Sequence, residues 1–127
     1  MAPETGAIFD HVQLRVADLQ ESKRFYSLVL APLGIGLVTD SARFARFGDL
    51  ALSDDREATV GAHVAFIARS REEVIRFHSA GVNAGYRDNG APGFRDYLPG
   101  WYAAYLLDPD GNNIEAVFRD APDAVGV

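Results

Sequence analysis

The chain contains no cysteine, a single tryptophan and a single methionine, and no apolar run near the roughly 18 residues that a membrane-spanning helix needs. Without cysteine there is no disulfide framework and no thiolate metal site, so any metal ion must be bound by His, Asp or Glu. Basic residues are also few, because 12 Lys and Arg stand against 18 Asp and Glu, for a formal net charge of −6. This balance argues against a general nucleic-acid-binding surface, and we expect no nucleic-acid partner.

The remaining composition is typical of one soluble globular domain. The 127 residues are 48% hydrophobic and 24% charged, which is enough for a real hydrophobic core. The first six residues, Met-Ala-Pro-Glu-Thr-Gly, lack the basic start and apolar middle of a signal peptide. We therefore expect a single domain over residues 1–127, located in the cytoplasm and not attached to a membrane.

The strongest local signal is the sequence Asp-Pro-Asp-Gly-Asn-Asn at residues 108–113. Proline presets φ, glycine accepts a positive φ, and Asn and Asp bond to the nearby backbone, so this composition is typical of a turn. The apolar, partly alternating runs 102–107 and 114–118 on either side predict a β-hairpin. In its second strand Glu115 shares a face with Val117, and a lone carboxylate there is costly to bury unless it is paired or binds a cation.

Two parts of the chain repeat each other at an offset of 52 residues, from His11 to His63. In both parts a strand is followed by a helix-capping box. Agreement of strand, cap and helix in one register makes coincidence a poor explanation. The matching segments are 8–16 and 63–67 for the strands, Asp18–Glu21 and Ser70–Glu73 for the caps, and 24–27 and 76–79 for the helices.

Each repeat predicts a strand, a helix and further short strands, which gives two βαβββ modules at about 7–55 and 60–120. The first helix should end before Pro32, because proline disfavours a helical residue before it. The second module carries a long loop at 89–100, and such loops often form lids. We predict an α+β fold in which two paired βαβββ modules form a cupped mixed sheet with helices on the outside. Short strands of the first module are expected near 36–39, 43–47 and 50–53.

The polar faces of the predicted strands carry the candidate metal ligands. If the modules pair about a pseudo-twofold axis, these faces line one concavity in which His11, His63 and Glu115 converge. Two imidazoles and a carboxylate with open coordination positions suit Fe(II) and, by ligand type, also Mn, Co, Ni or Zn. In the alternative interpretation each histidine has a backbone or carboxylate partner, and Glu115 is exposed or forms a salt bridge, for instance to Arg15.

Two further groups of side chains are candidates for substrate binding. Gln13 and Arg15 share the face of His11 and could hold substrate oxygens, since a guanidinium can fork onto a carboxylate or enolate. They could equally be solvated near the end of the strand. Arg95, Tyr97, Trp101 and Tyr102, in and after the long loop, are candidate pocket walls; otherwise they anchor the loop or cover an oligomer face.

The paired βαβββ pattern, the histidine that opens each module and the hairpin Asp-Pro-Asp-Gly-Asn-Asn-Ile-Glu resemble the vicinal oxygen chelate superfamily. This superfamily includes glyoxalase I, bleomycin-resistance proteins and extradiol dioxygenases, and the resemblance covers about residues 8–119. It implies metal ligands at His11, His63 and Glu115, with Glu115 also the catalytic residue. It further implies a divalent metal ion, a small-molecule substrate and a homodimer.

One position departs from the pattern of glyoxalase I, whose relatives use a fourth protein ligand on the last strand of the first module. Aligning the last strands of the two modules places Ala51 at the position of Glu115, and Ala51 cannot bind a metal ion. Asp49 could substitute if this register is wrong. The resemblance therefore points to a three-ligand site closer to that of the extradiol dioxygenases. Glyoxalase I activity is disfavoured, because moving a proton between adjacent carbons needs a placed base.

The leading hypothesis is a metal-dependent lyase, isomerase or dioxygenase acting on a small substrate with vicinal oxygens, which the ion would activate as a Lewis acid. The alternative is a metal-free binding protein of the bleomycin-resistance type. Such relatives lack the metal triad and use an acidic dimer cleft for cationic antibiotics, and the acidic composition of this chain suits that alternative. A third interpretation is a degenerate member with a structural or regulatory role.

Overall fold

A computed structural model describes residues 8–120, and this range contains eight strands and two α-helices. The predicted absence of a signal peptide concerns residues outside this range. The elements are β1 (Val12–Arg15), α1 (Leu19–Leu30), a 3-10 turn (Ala31–Leu33), β2 (Leu37–Asp40), β3 (Phe44–Phe47), β4 (Leu50–Ser53), β5 (His63–Ile67), α2 (Arg71–Asn83), β6 (Arg87–Phe94), β7 (Trp101–Leu107) and β8 (Asn113–Arg119).

The strands form two four-stranded sheets with the same topology. The first sheet has the order β1-β4-β3-β2 and the second the order β5-β8-β7-β6. In each sheet the strand before the helix pairs parallel to the last strand of its module, because the helix provides the crossover connection. The predicted α+β fold with two βαβββ modules is confirmed. Each module keeps its own sheet, and β1 and β5 are edge strands.

Side-chain caps begin both helices as the sequence predicts. The Asp18 carboxylate accepts the backbone N–H of Glu21 at 3.1 Å, and the Ser70 hydroxyl accepts that of Glu73 at 3.1 Å. The Glu73 carboxylate in turn accepts the backbone N–H of Arg69 at 2.8 Å, which completes a reciprocal cap close to the capping-box pattern. No helix in residues 8–120 has the length and apolar character needed to cross a membrane.

One hydrophobic core joins the two modules. α1 and α2 contact each other, and each helix also packs against the sheet of its own module. We call the sheet faces that pack on this core the inner faces and the opposite faces the outer faces. The Tyr26 hydroxyl of α1 donates to the Asp108 carboxylate at 2.6 Å, so a buried hydrogen bond also links the modules.

The turn at residues 108–112 connects β7 to β8 and also holds the segment that enters β5. Asp108 Oδ1 accepts the backbone N–H groups of Asp110 and Asn112 at 2.9 and 2.8 Å. The buried Asn112 side chain accepts the N–H of Ala62 and donates to the carbonyl of Thr59, both at 2.9 Å. Because Ala62 precedes β5, this motif fixes the start of β5 beside β8.

The predicted loop at 89–100 is wrong over its first half. Residues 89–94 belong to β6, which pairs antiparallel with β7, and only residues 95–100 connect the two strands. β6 is an edge strand whose register shifts around Gly90, and an edge position tolerates Pro92, which has no N–H to donate. The first strand is also shorter than predicted, since residues 8–11 precede it.

Candidate functional site

Glu115 is buried on the outer face of the second sheet. Its neighbours in β8, Ile114 and Ala116, face the shared core, so the alternation of the strand places Glu115 on the opposite side. Only 1% of the residue is exposed. A carboxylate buried to this extent needs partners for both of its oxygens, because an unpaired buried charge is strongly destabilising.

His63 and Trp101 provide those two partners. His63 Nε2 lies 2.7 Å from Glu115 Oε1, and the Trp101 indole N–H donates to Glu115 Oε2 at 3.1 Å. The His63 side chain is 54% exposed, whereas that of Glu115 is 2% exposed. The pair therefore joins a buried carboxylate to an imidazole open to solvent. The salt bridge from Glu115 to Arg15, raised as an alternative from the sequence, is not formed, since Arg15 faces Asp55 at 3.4 Å.

Tyr105 lies directly across the ladder from Glu115. Its hydroxyl is buried and makes no hydrogen bond within the part of the chain that the structure describes. Burial first, and then the neighbouring Tyr97 and the Glu115 carboxylate, raise the pKa of Tyr105, so the hydroxyl stays protonated and can donate. Gly90 makes room for the ring, because a Cβ there would lie 2.7 Å from Tyr105 Cδ1.

His11 lies apart from His63 and Glu115 within one chain. It precedes β1 in the first module, its side chain is 48% exposed, and its Nδ1 contacts Asp10 Oδ1 at 2.7 Å. This contact holds the pKa of Asp10 below its ordinary value. Across residues 8–120 no three His, Asp or Glu side chains come together as a metal-binding group. One chain thus assembles two of the three predicted ligands, and the role of His11 stays a prediction.

Gln13 and Arg15 lie in β1, on the strand that follows His11, and their polar groups already have partners. Gln13 Nε2 donates to the Ser53 hydroxyl at 2.8 Å, and Ser53 donates to Asp55 at 2.7 Å. The Arg15 Nε–H donates to the same Asp55 carboxylate. A substrate would have to displace these contacts, so the geometry supports a structural network on the first sheet more directly than a binding role.

The predicted pocket residues of the second module have different environments. Arg95 donates to the carbonyls of Gly93 and Ala91 at 2.9 and 2.7 Å, which closes the end of β6. Its guanidinium lies 5.2 Å from the centre of the Tyr105 ring. Tyr97 packs edge-on against Trp101 with ring centres 5.5 Å apart, so it does border the His63–Glu115 pair.

Tyr102 is the predicted pocket residue that the structure places away from the pair. It packs with the shared core on the inner face and meets Phe94 edge-on at 5.1 Å. Trp101, one residue before Tyr102 in β7, and Tyr105, three residues after it, lie on the outer face instead. The sequence carried this signal, because a hairpin that closes at 108–112 places Tyr105 opposite Glu115, and alternation then puts Trp101 and Tyr105 on one face.

The donor set of the pair fits a divalent metal ion in part. An imidazole nitrogen and a carboxylate oxygen are suitable ligands for ions from Mn to Zn, and an exposed imidazole leaves an approach from solvent. Two protein ligands are fewer than the three or four of known enzyme sites. A third protein donor would have to come from outside this pair.

Comparison with known proteins agrees with the fold. The family model described as the Glyoxalase/Bleomycin resistance protein/Dioxygenase superfamily matches residues 8–116. A crystal structure of a glyoxalase/bleomycin resistance protein from Albidiferax ferrireducens T118 is 39% identical in sequence. The match covers 89% of this chain and 99% of that one, with a TM-score of 0.74. No curated protein is detectably similar to the chain.

More distant structures share the fold. A lactoylglutathione lyase from Agrobacterium tumefaciens is 22% identical over 91% of this chain and 96% of that chain, with a TM-score of 0.67. A glyoxalase-related enzyme from Fulvimarina pelagi is 23% identical over 89% and 88% of the two chains, with a TM-score of 0.69. Because the family model matches most of the length of the chain, the chain belongs to the glyoxalase/bleomycin resistance protein/dioxygenase superfamily.

Proposed function

We propose that the protein is a divalent-metal-dependent enzyme that acts on a small substrate with vicinal oxygens, by lyase, isomerase or dioxygenase chemistry other than that of glyoxalase I. The observation that carries the proposal is the contact of 2.7 Å between His63 Nε2 and the almost fully buried Glu115 carboxylate. Enzymes of this superfamily generally use a divalent metal ion. Burying a carboxylate beside a solvent-exposed imidazole costs folding free energy. A role in metal binding would explain why the protein keeps the carboxylate in this position.

His63 Nε2 and Glu115 Oε1 would hold the ion, which when bound would act as a Lewis acid toward a substrate oxygen. The residues around them have separate tasks. The Trp101 indole N–H donates a hydrogen bond to the second oxygen of Glu115. The aromatic cluster of Trp101, Tyr97 and Tyr105 limits the access of water to the carboxylate. The protonated Tyr105 hydroxyl, across the ladder from Glu115, would help to stabilise the negative charge of that carboxylate.

We place the third ligand, His11, on a second copy of the chain. His63 opens the edge strand β5, and His11 immediately precedes the edge strand β1, so a strand of one copy can pair with a strand of another beside these histidines. Apolar side chains are exposed on both edges, with Ile67 at 81% and Val12 at 38%. Pairing β1 of one copy with β5 of the other would extend the sheets and bring His11 of the partner subunit toward His63.

The alternative proposal is a metal-free small-molecule binding protein of the bleomycin-resistance type. The observation that favours it is the completeness of the His63–Glu115 pair within one chain, since both Glu115 oxygens have partners and no third ligand stands beside them in residues 8–120. A net charge of −6 also suits cationic ligands. In this alternative the pair is a structural ion pair and His11 is a surface histidine.

The metal content of the purified protein, prepared without a histidine tag, separates the two proposals. We expect near-stoichiometric transition metal in the wild type and its loss in Glu115→Ala and His63→Ala. Asp49→Asn is the matched control, because Asp49 is an exposed carboxylate with its side chain 81% accessible. No metal in the wild type, and no thermal stabilisation by added divalent ions, would refute the metal-dependent proposal. Screening of cationic small molecules would then test the alternative.

A further inference from the structure

We infer that Trp101 is a positioning residue whose indole N–H fixes the Glu115 carboxylate so that only Oε1 faces His63. The consequence of this inference for metal binding rests on the proposed function. The orientation of the Glu115 carboxylate by Trp101 is expected in the metal-free protein as well. Trp101 reaches the site through its hydrogen bond to Glu115, so its effect on His63 and on a bound ion passes through that carboxylate.

The path of the side chain along the sheet explains how Trp101 reaches Glu115. Trp101 pairs with Arg119 across the ladder, and Glu115 lies four residues nearer the turn on the same face of β8. The intervening position on β7 is Ala103, which is fully buried in a small cluster with Val117 and Tyr105. Because Ala103 is small, the indole can lie over it and bring Nε1 to 3.1 Å from Glu115 Oε2. A larger residue at 103 would block this path.

The indole is itself held on more than one side. The Arg119 guanidinium lies 4.1 Å from the centre of the Trp101 ring, which is a close cation–π contact. Tyr97 packs edge-on against the same ring at 5.5 Å. The direction of the N–H is therefore set by packing, and the carboxylate adapts to the indole.

The consequence concerns the coordination mode of Glu115. A carboxylate with both oxygens free can rotate and bind an ion through either or both of them. With Oε2 bound to the indole N–H, Glu115 offers one oxygen in one direction, and the hydrogen bond also compensates part of the cost of burying the charge. Partners that orient metal ligands in this way commonly change metal affinity or activity by 10–100-fold. We expect a loss of that order when the donor is removed.

The metal-free part of the inference can be tested by NMR, because Trp101 is the only tryptophan and gives a single indole N–H resonance. We expect this resonance to lie downfield and to move upfield in Glu115→Ala. The long-range ¹H–¹⁵N spectrum of the His63 ring at one mildly alkaline pH should show Nε2 protonated in the wild type. In Trp101→Phe, that tautomer should lose population. An unchanged His63 spectrum in Trp101→Phe would overturn the inference, whether or not the protein binds metal.

The metal part is tested by chelator competition with zinc alone. The sharpest variant replaces the single tryptophan with benzothienylalanine, in which sulfur takes the place of the N–H and the ring keeps its size. We expect zinc affinity to fall about 10–100-fold, with the melting temperature and the Arg119 contact retained. Phe94→Leu, an aromatic truncation on the same sheet away from Glu115, is the control and should keep wild-type affinity.

The possible outcomes separate the inference from the proposed function. A wild type that binds zinc while the benzothienylalanine protein binds it equally well would refute the positioning role and leave the proposed function intact. A wild type that binds no zinc would refute the proposed function, and the His63 tautomer in Trp101→Phe would then decide the positioning role on its own. If Phe94→Leu weakened zinc binding as much as the benzothienylalanine substitution does, the loss would reflect a general packing effect. That result would also refute the inference.

Discussion

Ala51 occupies in the first module the position that Glu115 occupies in the second. β1 pairs with β4 so that Gln13 stands opposite Ala51, and β5 pairs with β8 so that Ala65 stands opposite Glu115. Gln13 and Ala65 are equivalent in the repeat, at the same offset as His11 and His63. The register therefore excludes Asp49 from this position, and Asp49 instead lies 3.8 Å from Arg46 in the β3–β4 turn.

The first prediction follows from this alanine. A methyl group can neither bind a metal ion nor move a proton, so we expect no glyoxalase I turnover from the wild type, even with Fe, Mn, Co, Ni or Zn supplied. The measurement is a glyoxalase I assay on the metal-loaded protein with metal content determined on the same sample. Turnover that disappears in Glu115→Ala would contradict the prediction. It would mean that a base other than one at position 51 serves the reaction.

Local signals in the sequence were sufficient for most of the fold. The caps at Asp18 and Ser70, the strand Leu50–Ser53 and the closing hairpin each follow from a few neighbouring residues, and the structure confirms them. β6 could not be predicted in this way. Its Asn-Gly-Ala-Pro-Gly sequence has the composition of a turn, and it becomes a strand because β7 offers a free edge and the register shifts around Gly90.

The candidate site was predictable only where it depends on register. The repeat and the hairpin together bring His63 to Glu115, because both positions follow from strand pairing. The contact of Trp101 with Glu115 depends on the small volume of Ala103, and its packing cannot be read from alternation. The placement of His11 depends on how the two modules pack, which no local pattern sets.

The second prediction concerns the hydrogen bond that links the modules. Burial and the Asp108 carboxylate raise the pKa of Tyr26 well above its ordinary value, so the hydroxyl remains a donor at any pH of interest. Tyr26→Phe removes the bond of 2.6 Å and leaves Asp108 Oδ2 with the Asn112 amide alone, at 3.2 Å. We expect the free energy of unfolding in urea to fall by about 1–3 kcal/mol.

Tyr102→Phe is the control for this measurement. It removes a hydroxyl from the same core without removing the link to Asp108, and we expect a change within about 0.5 kcal/mol. An equal loss in both variants would show that the stability of the core does not depend on the Tyr26–Asp108 bond in particular.

The third prediction concerns the acid stability of the α2 cap. The hydrogen bonds from the Arg69 side chain and backbone hold the pKa of Glu73 below its ordinary value of 4.5. The ionised carboxylate therefore stabilises the folded state at pH values above that ordinary value. This contribution is lost as the pH falls through the lower pKa of the folded state, because the folded protein then takes up the proton as well.

Glu73→Gln should accordingly cost about 1 kcal/mol at neutral pH, and the difference from wild type should shrink as the pH falls below 4.5. Urea unfolding at several pH values measures it. Glu72→Gln is the control, because Glu72 has its side chain 74% exposed and its ion pair within residues 8–120 is with Arg76 at 3.4 Å, so its effect should be small throughout. A Glu73→Gln deficit that is independent of pH would contradict the ionic origin of the effect.

The fourth prediction tests whether two chains build one site. If β5 pairs with β1 of a second copy, Ile67 is covered at that edge, and Ile67→Lys buries an unpaired cation there. The expected result is a monomer by light scattering together with loss of bound metal, since His11 of the partner subunit is then absent. Val38→Lys is the matched control, because Val38 is 67% exposed on β2, the opposite edge of the first sheet, and it should leave both the dimer and the metal unchanged. A monomeric Ile67→Lys protein that keeps its full metal content would show that one chain supplies all the ligands.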